Sequence, residues 1–464
     1  MKKRGAKSPA RLRAPRRAGD LDSFHELWRI ADRVLHFSTG HESEVEITAA
    51  VDALTRFANN AIHQNVAEEV RHVSLRVIVN GRTARVTTNK ADDASLRNLV
   101  ESAVSLARFQ PKNKDAMPMP GPQKQPPVRR FFDPTAEATP DDRAAVVRRI
   151  VRLAASRKQT AAGVYATGWS RAVFANSRGL RGEHAESKAE FSVTMMEQNS
   201  SGWAKATSPD ARLFNPLALA ANASENASAS RNPRELPPGH YTVILEPSAV
   251  LDLAGFLFYD FAATAVQDKR SCLTGRMGKP LFGKNITLWD DVYHPLQSGV
   301  PFDGEGMPRQ RVCLVENGVP RNLVYARATA RKKKARPTGH GLPLPNEFGE
   351  APMNLVFGGG SSSVDEMVRG TERGILVARL WYIREVDPYE KIMTGMTRDG
   401  TFLVENGRVV CGIRNFRFNQ SLIAMLANVE ELGAAVRASG EESFDMVVPA
   451  MKVRDFHFTE VTRF

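Results

Sequence analysis

The side chains best suited to activating water in this chain are its ten histidines, and their spacing decides what they can do. A zinc protease needs two imidazoles one helical turn apart with a glutamate base between them. Two His-Glu pairs occur. His25-Glu26 is followed by Leu27-Trp28-Arg29-Ile30, and His41-Glu42 by Ser43-Glu44-Val45-Glu46, so neither has a second histidine at the required position. A serine nucleophile elbow is absent too, because its nearest relative, Gly168-Trp169-Ser170-Arg171-Ala172, lacks the closing glycine. The run Gly358-Gly359-Gly360-Ser361-Ser362-Ser363 could offer backbone amides to an anion. It lacks the Gly-Lys of a phosphate loop and is followed by Asp365-Glu366, so it reads as a flexible turn or a substrate-lining loop. Asp290-Asp291, Asp303 and Glu305 have no metal-ligand spacing around them and read as loop solvation. Cys272, Cys313 and Cys411 are far apart and odd in number, which fits a reducing cytosol rather than a disulfide framework.

Charge points elsewhere at first. The 464 residues carry 64 Lys plus Arg against 51 Asp plus Glu, a formal +13. The first 17 residues hold Lys2, Lys3, Arg4, Lys7, Arg11, Arg13, Arg16 and Arg17 and no acid; without them the balance is 56 against 51. A second basic run, Arg331-Lys332-Lys333-Lys334-Ala335-Arg336, has no interleaved aromatics for base stacking and reads as a solvated loop. No apolar segment follows the basic N-terminus as a signal peptide requires, and the most apolar stretch, Leu251 to Val266, is broken by Asp252 and Asp260, so no membrane span is expected.

The elements that must position any site fall into three segments after a disordered basic arm at 1–20. Residues 21–110 open with a helix from Ser23 to Phe37. Period-two alternation follows (Val45 and Ile47, then Val73 to Val79), with a hairpin at Asn80-Gly81 and a second helix from Asp92. A proline-rich linker spans 111–138. Residues 139–235 begin with Thr139-Pro140-Asp141-Asp142, a helix start, and continue as strands near 163–169, 171–176 and 189–197. Residues 236–464 are glycine-rich, with strands at 240–246, 286–289, 310–316, 323–326, 374–385 and 401–405. Two similar hairpins stand at Asn317-Gly318 and Asn406-Gly407. The fold class is α+β, an antiparallel-sheet N-terminal region with helices plus a larger β-rich C-terminal domain.

Several strings are more specific than this. Thr55-Arg56-Phe57-Ala58-Asn59-Asn60 with Ile62-His63-Gln64-Asn65 resembles the N-terminal strand pair of the TldD/PmbA family. Ser298 to Gly306, Val315 to Val319, Thr338-Gly339-His340-Gly341, Arg384 to Pro388, Thr394 to Gly400 and Asn415 to Ser421 resemble its C-terminal domain. The resemblance covers roughly residues 40 to 460. It implies a peptidase system in which a TldD-type subunit binds zinc through HExxxH and a distant cysteine. That subunit pairs with a TldE/PmbA-type subunit lacking them, and an extended, unfolded peptide is cut in the enclosed cavity. The zinc helix is then expected between about Ala254 and Thr274, where Ala262 to Arg270 holds neither histidine nor glutamate; Glu442 to Lys452 holds no cysteine. The chain accordingly resembles the non-metal subunit, with no catalytic residue and no cofactor of its own. It is expected to be cytoplasmic, with a TldD-like subunit or a second copy as partner; nucleic acid bound through the basic runs is the competing reading. Candidate peptide contacts are Arg56, Asn59, Asn60, His63, Thr338, Gly339, His340, Asn415 and Asn419.

Overall fold

Local rules set the first helix. α1 (Phe24–Phe37) begins where the Ser23 hydroxyl accepts the Glu26 N–H, and it buries Leu27, Ile30, Ala31 and Val34 at helical spacing. The computed structural model describes residues 23–39 and 41–462, and the basic arm 1–20 lies outside the described residues. β1 (Glu42–Ala58), β2 (Ala61–Val79) and β3 (Arg82–Thr88) follow, with β1 and β2 far longer than the short alternating stretches in the sequence indicate. Then come α2 (Asp93–Phe109), α3 (Asp133–Ala136), α4 (Pro140–Ser156), β4 (Thr160–Asn176), β5 (Arg181–Met196), β6 (Ser201–Ser208) and α5 (Pro216–Ala229). α4 carries a full capping box from Thr139 and Asp142.

The first two segments share one antiparallel sheet in the order β3-β2-β1-β4-β5-β6. β1 pairs with β4 from Glu44↔Asn176 to Phe57↔Gly163, so the sheet is continuous across the segment boundary. Val45, Ile47, Ala49 and Phe57 alternate onto the face that carries the helices: α1 and α2 cover one end, α4 and α5 the other. On the opposite face Glu44 is fully buried, held by Arg76 (2.6 Å) and Arg85 (2.6 Å). The proline-rich segment is laid against the body. The Asn113 N–H donates to the Gly81 carbonyl, the Met119 N–H to Glu42, and Gln125 Nε2 to the Gly306 carbonyl.

The third segment contains β7 (Gly239–Leu245), α6 (Pro247–Ala254), a 3-10 turn at Gly255–Phe261, α7 (Ala263–Gln267), β8 (Leu288–Asp290), β9 (Val312–Glu316), β10 (Val319–Pro320), α8 (Arg327–Lys333) and β11 (Leu355–Phe357). After α9 (Val364–Arg369) come β12 (Arg373–Val377), β13 (Leu380–Asp387), β14 (Ile392–Thr397), β15 (Thr401–Glu405), β16 (Arg408–Gly412), β17 (Phe416–Ser421), α10 (Leu422–Ala427), β18 (Val429–Leu432), β19 (Val436–Ala438), β20 (Met446–Val448) and β21 (Met451–Val461). One sheet runs β13-β14-β17-β21-β7-β12-β15-β16, with β18 beside β21; the other runs β10-β9-β8-β11-β20-β19. Phe261, Phe357, Phe416, Phe418, Phe456 and Phe458 lie in the core between them.

Five expectations change here. The stretches 163–169 and 171–176 are one uninterrupted strand, β4, paired with β5 along its length. The stretch 374–385 is two strands, β12 and β13, that break at Ala378-Arg379 and lie apart in one sheet. Residues 323–326 make only an isolated bridge from Val324 to Ala262. The basic run is the last turn of α8, closed by Lys334 in the left-handed region (φ 53°), and Lys332 pairs with Asp115 at 2.6 Å. The acidic residues Asp290, Asp291, Asp303 and Glu305 are buried rather than solvated, because guanidinium groups, His340 and backbone N–H groups converge on them.

Candidate functional site

The candidate residues fall in three places. Arg56, Asn59, Asn60 and His63 stand at the tip of the β1–β2 hairpin. Asn59 and Asn60 have φ of 50° and 59°, the pair of positive values that a tight hairpin turn demands. Asn60 also ties the tip to β4: its Nδ2 donates to the Gln159 carbonyl (2.9 Å), and its Oδ1 accepts the Ala161 N–H (2.8 Å). Opposite Arg56 and Phe57 the register slips, leaving His63 as an extra residue whose Nε2 lies 2.9 Å from the Ala58 carbonyl. β3 pairs with β2 only from Val73 onward, so among the described residues no strand pairs with the outer edge of β2 from Gln64 to His72.

Thr338, Gly339 and His340 lie inside the C-terminal domain. His340 is fully buried, with Nε2 2.8 Å from Asp290 Oδ1 and Nδ1 2.9 Å from Thr338 Oγ1. Burial alone would raise the Asp290 carboxyl; the His340 and Arg309 charges and the Asn354 N–H hold it below its ordinary value. Thr338 Oγ1 accepts the Tyr325 N–H at 2.8 Å. Gly339 sits at φ 70°, and a Cβ there would come within 2.1 Å of the Pro308 carbonyl oxygen. Beside them Glu305 is pushed up to about 7, by burial first and by the Asp303 charge second.

Asn419 is exposed on β17, opposite Thr394. Asn415 lines a cleft of about 520 Å³ between the middle segment and the C-terminal domain. One wall is the β5–β6 turn, Glu197 to Ser201, with Ser230 and Pro233 after α5; the other is Arg398 to Thr401 with Ile413 and Arg414. The hydroxyls of Thr397 and Thr401 donate to Asn415 Oδ1 at 3.3 and 3.1 Å. Arg379 is buried between the rings of Trp203 and Trp381 and binds Asp399 at 2.7 Å, while Ser201 Oγ donates to Asp399 across the domain boundary at 2.5 Å. Glu197 is held down at about 2, chiefly by its bond from Arg231, with Gln159 and Ser228 adding to it.

The sequence missed a second, apolar groove of about 370 Å³ formed by Phe256, Phe258, Phe444 and Glu441 to Ser443. Its signal was present as Asp252, which interrupts the apolar run from Leu251. Asp252 is fully buried beneath this loop and accepts the Glu441 and Glu442 N–H groups at 3.1 and 3.0 Å. Burial pushes its carboxyl up to about 7.

The window expected to hold a zinc helix contains a 3-10 turn and the five-residue α7, too short to present two imidazoles on one face. Its carboxylates and thiol are Asp260, Asp268 and Cys272, and Asp268 is paired with Arg270 at 3.0 Å. Lys391 Nζ lies 2.6 Å from Asp260 and 2.5 Å from Glu385; burial disfavours its ammonium, but the two carboxylates outweigh that and raise its pKa. Burial and the Asp260 charge push the Cys272 thiol up, so it stays protonated. A carboxylate already neutralised by an ammonium, beside a protonated thiol, does not fit Zn²⁺, which needs deprotonated sulfur, imidazole or free carboxylate ligands. Among the described residues no group of three or more His, Cys, Asp and Glu side chains is arranged to hold a metal ion.

The three segments match, in order, the families described as PmbA/TldA metallopeptidase domain 1 (residues 43–107), central domain (133–231) and C-terminal domain (238–460). The chain therefore belongs to the PmbA/TldD family. It is 20% identical over 437 residues to the metalloprotease PmbA of Escherichia coli O157:H7, covering 90% of this chain and 92% of that one. It is 27% identical over 277 residues to an uncharacterized protein of Methanocaldococcus jannaschii, covering 58% of this chain and 63% of that protein, under two thirds of its length. The crystal structure of TldE from Thermococcus kodakarensis superposes with a TM-score of 0.83 at 18% identity, over 94% of this chain and 99% of that one, and so shares the fold.

Proposed function

We propose that this chain is the zinc-free, non-catalytic subunit of a TldD-type peptidase that acts on unfolded peptides in the cytoplasm. It would pair with a TldD-like chain and contribute peptide-binding walls. The observation that carries this reading is the conjunction of a family match over the whole body with the Lys391–Asp260 pair in the expected zinc window. An extended peptide brings unpaired N–H and C=O groups, and two features suit it. The outer edge of β2 beside Arg56, Asn59, Asn60 and His63 can accept a strand, and the cleft at Asn415 offers polar side chains; Asn419 stands exposed on β17. Thr338, Gly339 and His340 contribute by fixing their own buried turn against Tyr325, Pro308 and Asp290. Three free cysteines suit a reducing compartment. Among the described residues no helix is long and apolar enough to cross a membrane.

The test is to purify the chain alone and together with a TldD-type protein, then measure bound zinc and cleavage of an unstructured peptide. The expected outcome is activity only in the mixture. Stoichiometric zinc with full activity in the isolated chain would overturn the proposal.

A further inference from the structure

The interdomain cleft at Asn415 is supplied with hydrogen-bond donors that have no acceptors. Ser200 and Ser230 both line it, and the Oγ of each is turned out of reach of solvent with no hydrogen-bond partner, so that a rotation about the Cα–Cβ bond is needed to aim it into the cleft. A buried hydroxyl left unpaired is costly, and native structures keep such groups where a ligand or other polar group meets them. Asn415 presents a third donor. Its Oδ1 is taken by Thr397 and Thr401, which turns the Nδ2 hydrogens away from those hydroxyls.

The lining carries two arginines and two acids, and the acids are the more fully engaged. Arg398 lies over the Trp381 ring at 4.9 Å, with its Nε 3.5 Å from an Asp399 carboxylate that Arg379 and Ser201 already satisfy. Arg414 is half-exposed and only loosely paired with Glu235, at 3.7 Å. The acid on the other wall, Glu197, is taken by Arg231, Gln159 and Ser228. What remains unmatched is the two hydroxyls and the terminal guanidinium nitrogens of Arg398 and Arg414, which have no hydrogen-bond partner among the described residues. That combination selects a ligand with an anionic, acceptor-only group, and a guanidinium meets a carboxylate especially well. The volume of about 520 Å³ is that of a ligand pocket rather than of a surface dimple.

We infer that this cleft binds the C-terminal carboxylate of a short peptide, with Ser200, Ser230 and Asn415 donating to the terminal residue and Arg398 and Arg414 holding the charge. The choice of a peptide over another carboxylate rests on the function proposed above. The cleft would then hold a peptide by its end, whereas the β2 edge would hold it along its backbone.

The isolated full chain is titrated, with no TldD-type partner present, with a fluorescently labelled tripeptide of free C-terminus, the same tripeptide as its C-terminal amide, acetate, and inorganic phosphate. The free acid is expected to saturate, and the amide to bind about tenfold or more weakly because the charge-assisted contacts are lost. R414A and the double variant S200A/S230A should each weaken the free acid and narrow its advantage over the amide, with thermal melting not lowered in either and raised in S200A/S230A, where two unpaired buried hydroxyls are removed. Equal binding of acid and amide overturns the inference, as does acetate or phosphate binding as tightly as the peptide. Because no cleavage is read, the two proposals fail separately. A chain that prefers the acid but forms no complex with a TldD-type protein keeps this inference and loses the previous one; a cleaving complex indifferent to amidation does the reverse.

Discussion

Buried acids are the side chains that most reward attention in this protein. Asp252, Asp290, Asp303 and Glu305 are each nearly or fully inaccessible, and their environments move them in different directions. Asp290 stays ionised because His340 and Arg309 face it, whereas Asp252 and Glu305 are pushed up to about 7 by burial. A carboxyl whose pKa is raised in the folded state binds its proton more tightly there than in the unfolded chain. The stability it confers is complete below the ordinary carboxylate range and is lost as pH rises through about 7. The melting temperature is therefore expected to fall from about pH 4 to about pH 7 and to level off above that. D252N keeps an acceptor for the Glu441 and Glu442 N–H groups and removes the titration, so it should flatten part of that fall, by about 3–4 kcal/mol once the pH is above about 7. The slope that persists belongs to Glu305 and Glu246, both pushed up to about 7, and to Asp303 and Glu46, which burial also raises. Identical pH profiles for D252N and the parent protein would refute this assignment. The sequence showed where these acids were but not that they were buried, since burial is decided by segments tens of residues away.

Among the elements, the turns were the most legible. Asn80-Gly81, Asn317-Gly318 and Asn406-Gly407 each adopt the paired positive φ values that their residue types favour. The N-caps at Ser23, Asp92 and Thr139 likewise hold their helices as the residues indicate. Gly358 to Ser363 is the instructive exception. Its composition suggests freedom, yet the Gly360 N–H donates to the Gly433 carbonyl at 2.7 Å, and a Cβ on Gly360 would lie 2.3 Å from the Leu432 carbonyl oxygen. The glycines permit two backbones to approach, and Ser363 then caps α9 with Glu366. G360A is expected to cost about 1–3 kcal/mol through that overlap, measured by denaturant unfolding. A variant as stable as the parent would mean that the approach relaxes freely. The division of 374–385 into two strands was illegible for a different reason. β12 and β13 are both apolar and extended, and only the docking of Arg379 between Trp203 and Trp381 marks the break.

For the whole molecule, the controlling feature is the shared sheet. The first and middle segments keep their own helices, but β1 and β4 join them edge to edge along nearly their full length. Expressed alone, residues 1–110 leave the β1 edge open from Glu44 to Phe57, and such an edge recruits other chains. That fragment is expected to aggregate in light scattering, whereas residues 1–235, which complete the sheet, should remain soluble. A monomeric, folded 1–110 would show that the shared sheet is not required. The positive charge that stood out in composition is distributed in keeping with this design. Part of the second basic run is used inside the molecule, where Lys332 and Arg331 fasten the proline-rich segment through Asp115.

By itself the sequence determined the local vocabulary: helix starts, Asn-Gly turns, the α+β class and a resemblance along most of the chain. These depend on contacts within a few residues, which periodicity and capping record directly. Only the tertiary structure decided which of the candidate residues share a site. Asn415 lines one cleft with Ser200 and Ser230 from the other side of a domain boundary, Asn60 fastens a hairpin to a neighbouring strand, and His340 is sealed beneath the surface against Asp290, fifty positions earlier in the chain. Those neighbourhoods come from long-range packing of sheets, which sets burial and charge environment and leaves no periodic mark in the chain.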